Sequence, residues 1–194
     1  MTVIDAQVGA GADDGYWEED GSPFNNTSNT CFVGIHFAAG TIRNSFYRFT
    51  GITMSGTIDI AYISLRANGL NGSGILTKVF GDDQSEPTAV SSEANGNSRT
   101  RTTAGVDWDP TVFTLGTWYD SPSIVSVIQE LVNSYTFSSS ALQILHDDDG
   151  TPGTLNYIKS YTYEQAAADA PKLHIEYTAG AAVKPKTLMT LGVG

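Results

Sequence analysis

Apolar positions along the chain fall mostly in short runs with a period of two, separated by polar turns. That spacing is the mark of strands with one buried face. Residues 57–67, TIDIAYISLRA, alternate most cleanly: Ala61, Ile63 and Leu65 share one face, and Tyr62, Ser64 and Arg66 the other. Lys172 to Thr178 repeats the pattern, with Leu173, Ile175 and Tyr177 set against Lys172, His174 and Glu176. Further strands are predicted over 2–9, 30–37, 42–52, 75–80, 141–146 and 155–163, the 141–146 strand with Leu142 and Ile144 inward. Asn68-Gly69 and Asn71-Gly72 carry the turn chemistry that closes the 57–67 strand.

One stretch changes period. In Val106 to Val132, VDWDPTVFTLGTWYDSPSIVSVIQELV, a strand leads into Ile124, Val127, Ile128, Leu131 and Val132. These fall at i, i+3, i+4, i+7 and i+8, one stripe of an amphipathic helix. Ser121 followed by Pro122 is the expected helix start, a side-chain acceptor and then a ring with φ already fixed. Trp108 and Trp118 in this block are expected to be core residues.

Two polar excursions interrupt the strands. GADDGYWEEDGSPFNNTSN is an acidic loop in which Tyr16 and Trp17 are adjacent, and 84–105 is a long surface excursion in which SRTRTT is expected to pair along an edge. From Ala179 the sequence AGAAVKPKTLMTLGVG has two lysines, no acidic residue, and apolar Leu188, Met189, Leu191 and Val193. The division expected is one β-sandwich domain over 1–178 and a tail or docking arm over 179–194, with the four apolar residues as an assembly arm.

Composition narrows the function. The chain has 194 residues, enough to bury a two-layer core, and only 16% of them are charged. Net charge is −11. Such a surface repels phosphate backbones and anionic lipid, so nucleic acid and membrane are not expected partners. The N-terminus shows no basic region followed by an apolar run, and no stretch approaches the ~20 apolar residues of a membrane span. Cys31 is alone and is expected to be a small buried residue rather than a nucleophile.

Chemistry is sparse in the pattern. His36, His146 and His174 fit no HxH or HExxH spacing, and no GxSxG elbow is present. No enzyme activity is expected. The acidic turns at Asp13-Asp14-Gly15 and Asp147-Asp148-Asp149-Gly150 read in two ways, as solvated turns or as oxygen ligands for calcium, the single candidate cofactor. A sugar platform needs an exposed aromatic beside polar groups. Tyr16 and Trp17 are the candidates for it, against the reading that Trp17 packs its loop down.

The order SFYRFTGI, TIDIAYISLRA, KVFGDD, SRTRTTAGVDWDP, GTWYDSPSIVSVIQELVN and DAPKLHIEYT resembles the disaggregatase-related, DNRLRE-type jelly-roll domains. The resemblance covers about residues 40–178 and is most specific in VDWDP…GTWYDSP…VIQE and APKLHIEY. It implies an all-β, antiparallel jelly-roll β-sandwich with one short helix, similar to carbohydrate-binding modules and found in phage and environmental viral virion proteins. No catalytic residues come with it. Two functions are therefore expected. The first is a non-enzymatic virion structural protein, a capsid decoration or a tail-associated protein. It would be made in the host cytoplasm and located in the virion, with its sandwich outward and its arm on neighbouring virion proteins or further copies of itself. The second is a carbohydrate-binding or adhesion module that takes host-surface glycans.

Overall fold

The computed structural model describes residues 1–20, 23–36 and 40–180. Its strands are β1 (Thr2–Gln7), β2 (Asp14–Glu18), β3 (Thr30–Ile35), β4 (Ile42–Met54), β5 (Thr57–Asn71), β6 (Thr77–Asp82), β7 (Arg101–Asp107), β8 (Trp118–Asp120), β9 (Phe137–Asp148), β10 (Asn156–Tyr161) and β11 (Lys172–Thr178). Two α-helices join them, α1 (Glu93–Asn97) and α2 (Val125–Ser134). Every pairing is antiparallel, in the order β1-β11-β5-β10-β3-β4-β9-β6-β7, with β2 on β4 and β8 on β5. The molecule is an all-β, jelly-roll-like sandwich made by one curled sheet.

The curl turns on β5. Residues from Thr57 to Ser64 pair with β11, and those from Ala67 to Asn71 pair with β10. One long strand therefore contributes to both layers, and register shifts at Lys159/Ser160 and Glu176/Tyr177 relax the ladder where it bends. The turn residues Asn68 and Gly69 do not close this strand as the sequence predicts. They lie within it, because β10 supplies a partner from far along the chain.

The inward rows match the alternation. Ala61, Ile63 and Leu65 of β5 meet Leu173 and Ile175 of β11, Tyr47 and Phe49 of β4, and Leu142 and Ile144 of β9 in one buried cluster. Each fully buried side chain of this size stabilises by roughly 1.5–3 kcal/mol. Cys31 lies in the same cluster, wholly buried. Helix α2 adds Val127, Ile128 and Leu131, the predicted stripe. Its start differs from expectation. Ser121 makes no cap: its N–H donates to the Ile63 carbonyl at 2.8 Å, and its Oγ accepts from the Ile63 N–H at 3.2 Å. The serine is used as a strand partner, so the helix is anchored to β5 before it begins.

Both polar excursions are folded against the sandwich. The acidic loop contains β2, whose five residues are all buried. The 84–105 excursion contains α1, capped by Ser92 Oγ accepting from Asn95 N–H at 3.1 Å, and the first residues of β7. Arg99 holds this excursion. Its guanidinium donates to Asp82 at 2.9 Å and to the carbonyls of Thr88 and Ala89 and the Asn95 side chain, while Gln143 donates to the same Asp82 oxygen. Asp82 and Arg99 are both buried, so neither has water to fall back on.

Candidate functional site

Antiparallel register brings the outward residues of β1, β11, β5 and β8 into rows. Asp5, His174 and Tyr62 stand side by side in one row, and Gln7, Lys172, Ser64 and Asp120 in the next. Between them runs an open groove of about 420 Å³, with Asp5, Gln7, Tyr62, Ser64, Lys172 and His174 in its walls. It combines aromatic surface with convergent polar groups, the combination small-molecule sites use.

His174 is the centre of the groove. Its Nδ1 lies 2.6 Å from Asp5 Oδ1 and its Nε2 lies 3.3 Å from Glu176 Oε1. A neutral imidazole carries one N–H, whereas the protonated ring donates to both carboxylates. The Asp5 hydrogen bond, with support from Glu176, raises the His174 pKa above its ordinary value of 6.5. The ring also stacks on Tyr62, with centroids 4.8 Å apart and planes 24° off parallel. At the groove's end Lys172 Nζ sits 4.0 Å over the Trp118 ring, and Ser64 Oγ donates to Asp120 at 2.5 Å. Trp118 is thus only half-buried, not the core residue the sequence predicts, because in β8 it alternates to this outer face with Asp120 while Tyr119 between them packs against the core.

The residues singled out from the sequence lie elsewhere. Tyr16 and Trp17 are buried, at 6% and 0% exposure, so neither offers a face to a sugar. Arg43 covers Tyr16 at 4.5 Å and forms a buried pair with Glu18, while Trp17 Nε1 donates to Asn97 at 2.8 Å. A Cβ on Gly96 would stand 2.6 Å from the Trp17 ring, so glycine is what lets α1 close over the indole. The packing reading of Trp17 holds. The platform reading does not, since β2 pairs with β4 instead of looping into solvent.

Asp147, Asp148 and Asp149 do not form a common oxygen cage. Asp147 pairs with Arg101 at 2.9 Å, Asp149 with Lys78 at 2.7 Å, and Asp148 accepts from the N–H groups of Gly150 and Thr151 within its own turn. Among the described residues no group of three His, Cys, Asp or Glu side chains is placed to hold a metal ion. Leu188, Met189, Leu191 and Val193 lie outside the described residues.

Two other titratable groups stand out. His146 is fully buried, stacked on Trp108 at 5.2 Å, with Nε2 2.8 Å from Thr77 Oγ1, and burial lowers its pKa to about 3. It is a neutral core residue. Asp14 is also buried, and burial pushes its carboxyl up to about 8, with the nearby carboxylates of Glu164 and Asp13 adding to the rise and the Tyr163 N–H opposing it. Neither borders the groove.

Sequence reasoning placed Tyr62 and His174 on outward faces but gave them no role. The missing information was register: only the 2-on-177 alignment of β1 with β11 sets Asp5 against His174. A scan of protein-family models finds none that matches this chain, and a search of curated proteins finds no match either.

Proposed function

We propose that this protein is a non-enzymatic saccharide-binding module of the jelly-roll type that is carried on the outside of a virus particle. The observation that supports the binding half is the groove in which Tyr62 and His174 stack between Asp5, Ser64 and Lys172. Carboxylate, hydroxyl, amide and ammonium groups in two adjacent rows match a ligand with several hydroxyls, and the aromatic walls match the apolar faces of sugar rings. The three carboxylates Asp5, Asp120 and Glu176 around two cations favour a neutral sugar over an anionic one.

The test is titration calorimetry against a panel of neutral oligosaccharides, with Tyr62→Ala and His174→Ala beside the parent. We expect binding in the millimolar to micromolar range, weakened about tenfold or more in each variant. If no saccharide binds, or if both variants bind as the parent does, the groove reading is wrong.

The particle half rests on the resemblance to virion jelly rolls, as a capsid decoration or tail-associated protein. Antibody raised against the domain should label intact purified particles. Particles that lack the protein would sink this half while leaving saccharide binding untouched.

A further inference from the structure

β1 lies at one end of the sheet order, and among the described residues no strand pairs with its outer edge. An unpaired edge is a template for another strand. This edge is also incomplete on its inner side. Ile4 and Ala6 point toward the core and pack against it, yet both are only half-buried. On the outer side Val3 is 48% exposed and stands in a row with Glu176 and the 43% exposed Ile60. The sandwich stops one strand short of covering its own apolar residues.

The chain carries a segment with the matching pattern. In residues 187–193, TLMTLGV, Met189, Leu191 and Val193 alternate with Leu188, Thr190 and Gly192, a period of two. The only charges of 181–194 are Lys184 and Lys186, while Asp5 and Glu176 lie on the β1–β11 face. Charge and apolar pattern both complement the edge.

We propose that residues 187–193 of one copy add as an antiparallel strand to the free edge of β1 in a second copy. The register that sets Leu191 opposite Ile4 also sets Met189 opposite Ala6 and Val193 opposite Thr2, so the apolar row of the added strand extends the core. Main-chain hydrogen bonds hold the strand, and the alternate side chains select it. The occupant is a second copy because of where the chain leaves the sandwich. β11 lies between β1 and β5, and after Thr178 the backbone packs on the β5 side, where a Cβ on Gly56 would collide with Gly180 and Thr178. Return to its own β1 would mean crossing the end of β11. A contact of this head-to-tail kind yields a ring or an open chain of copies rather than a two-fold dimer.

The proposal is independent of the saccharide groove, and two measurements test it. Light scattering should give a concentration-dependent oligomer for the full chain. A chain ending at Gly180, and the full chain with Ile4→Asp, should be monomers that keep the parent's far-ultraviolet circular dichroism. For the second, copies with Val3→Cys are mixed with copies with Gly192→Cys and oxidised; the native Cys31 is buried and stays silent. A covalent dimer of the two different copies is expected. Monomeric full-length chain, no cross-link on mixing, or a cross-link that forms only within a chain bearing both cysteines would each overturn the proposal.

Discussion

At the scale of single residues, the buried ionisable groups decide how stability depends on pH. Asp14 has an ordinary value of 3.8 and a folded value of about 8. Between those values the folded state keeps a proton that the unfolded chain releases, so stability falls as pH rises through that window. Asp14→Asn keeps an acceptor for the Tyr163 N–H and removes the titration. It should raise stability at pH 7 by on the order of 1–2 kcal/mol, read as a higher midpoint in urea. An unchanged midpoint would show that the carboxyl is already solvated. His174 acts in the opposite sense to a buried histidine. Its folded value is raised, so its contribution is full below 6.5 and is lost as pH rises through the folded value. The Tm difference between the parent and His174→Gln should therefore shrink toward zero as the buffer is taken from pH 6 to pH 9. A difference that does not vary with pH would refute the double carboxylate contact. His146, lowered to about 3, draws stability down as pH falls below 6.5, which sets the acid side of the profile.

At the scale of elements, the notable case is β2 with α1. Neither has an apolar pattern of its own, and each is held by the other: Trp17 lies under Gly96 and donates to Asn97, and Arg101 stands 5.7 Å from its ring. Trp17→Ala should cost about 3–5 kcal/mol and open residues 84–105 to protease before the rest of the domain is cut. Uniform resistance to cleavage would argue against this mutual support. The same pair explains what the sequence made legible and what it did not. Strands β5 and β11 and helix α2 could be read because their partners are generic: any apolar layer rewards Ile63, Leu173 or Leu131. β2 could not, because its carboxylates are matched by specific groups far along the chain, Glu18 by Arg43 and Asp14 by the Tyr163 N–H. Ser121 misled for a related reason. Its oxygen serves β5 rather than the helix that follows, and only the tertiary pairing decides that. The groove was half legible: alternation showed which side chains face out, and register alone showed which of them meet.

At the scale of the whole molecule, the shared strand β5 ties the two layers into one unit. Neither layer can detach without breaking a ladder to β10 or β11. Calorimetric and van't Hoff enthalpies of unfolding should therefore agree, as they do for a two-state domain. Two resolved transitions would mean the layers are separable. The pairings also join distant parts of the chain, with β1 on β11 as the extreme case. Refolding should accordingly take milliseconds to seconds, the range of sandwiches built from non-local contacts, and a stopped-flow trace complete within microseconds would contradict the topology.

The three tryptophans divide this molecule into separate optical territories. Trp17 and Trp108 are sealed in, at 0% and 6% exposure, while Trp118 lies half-buried beneath the Lys172 ammonium at the groove's end. A guest that displaces that ammonium would change the polarity felt by one indole and leave the other two as a constant background. The protein thus carries its own fluorescent reporter for groove occupancy, with no label to attach. Trp118→Phe would silence the signal while leaving the residues that line the groove unchanged.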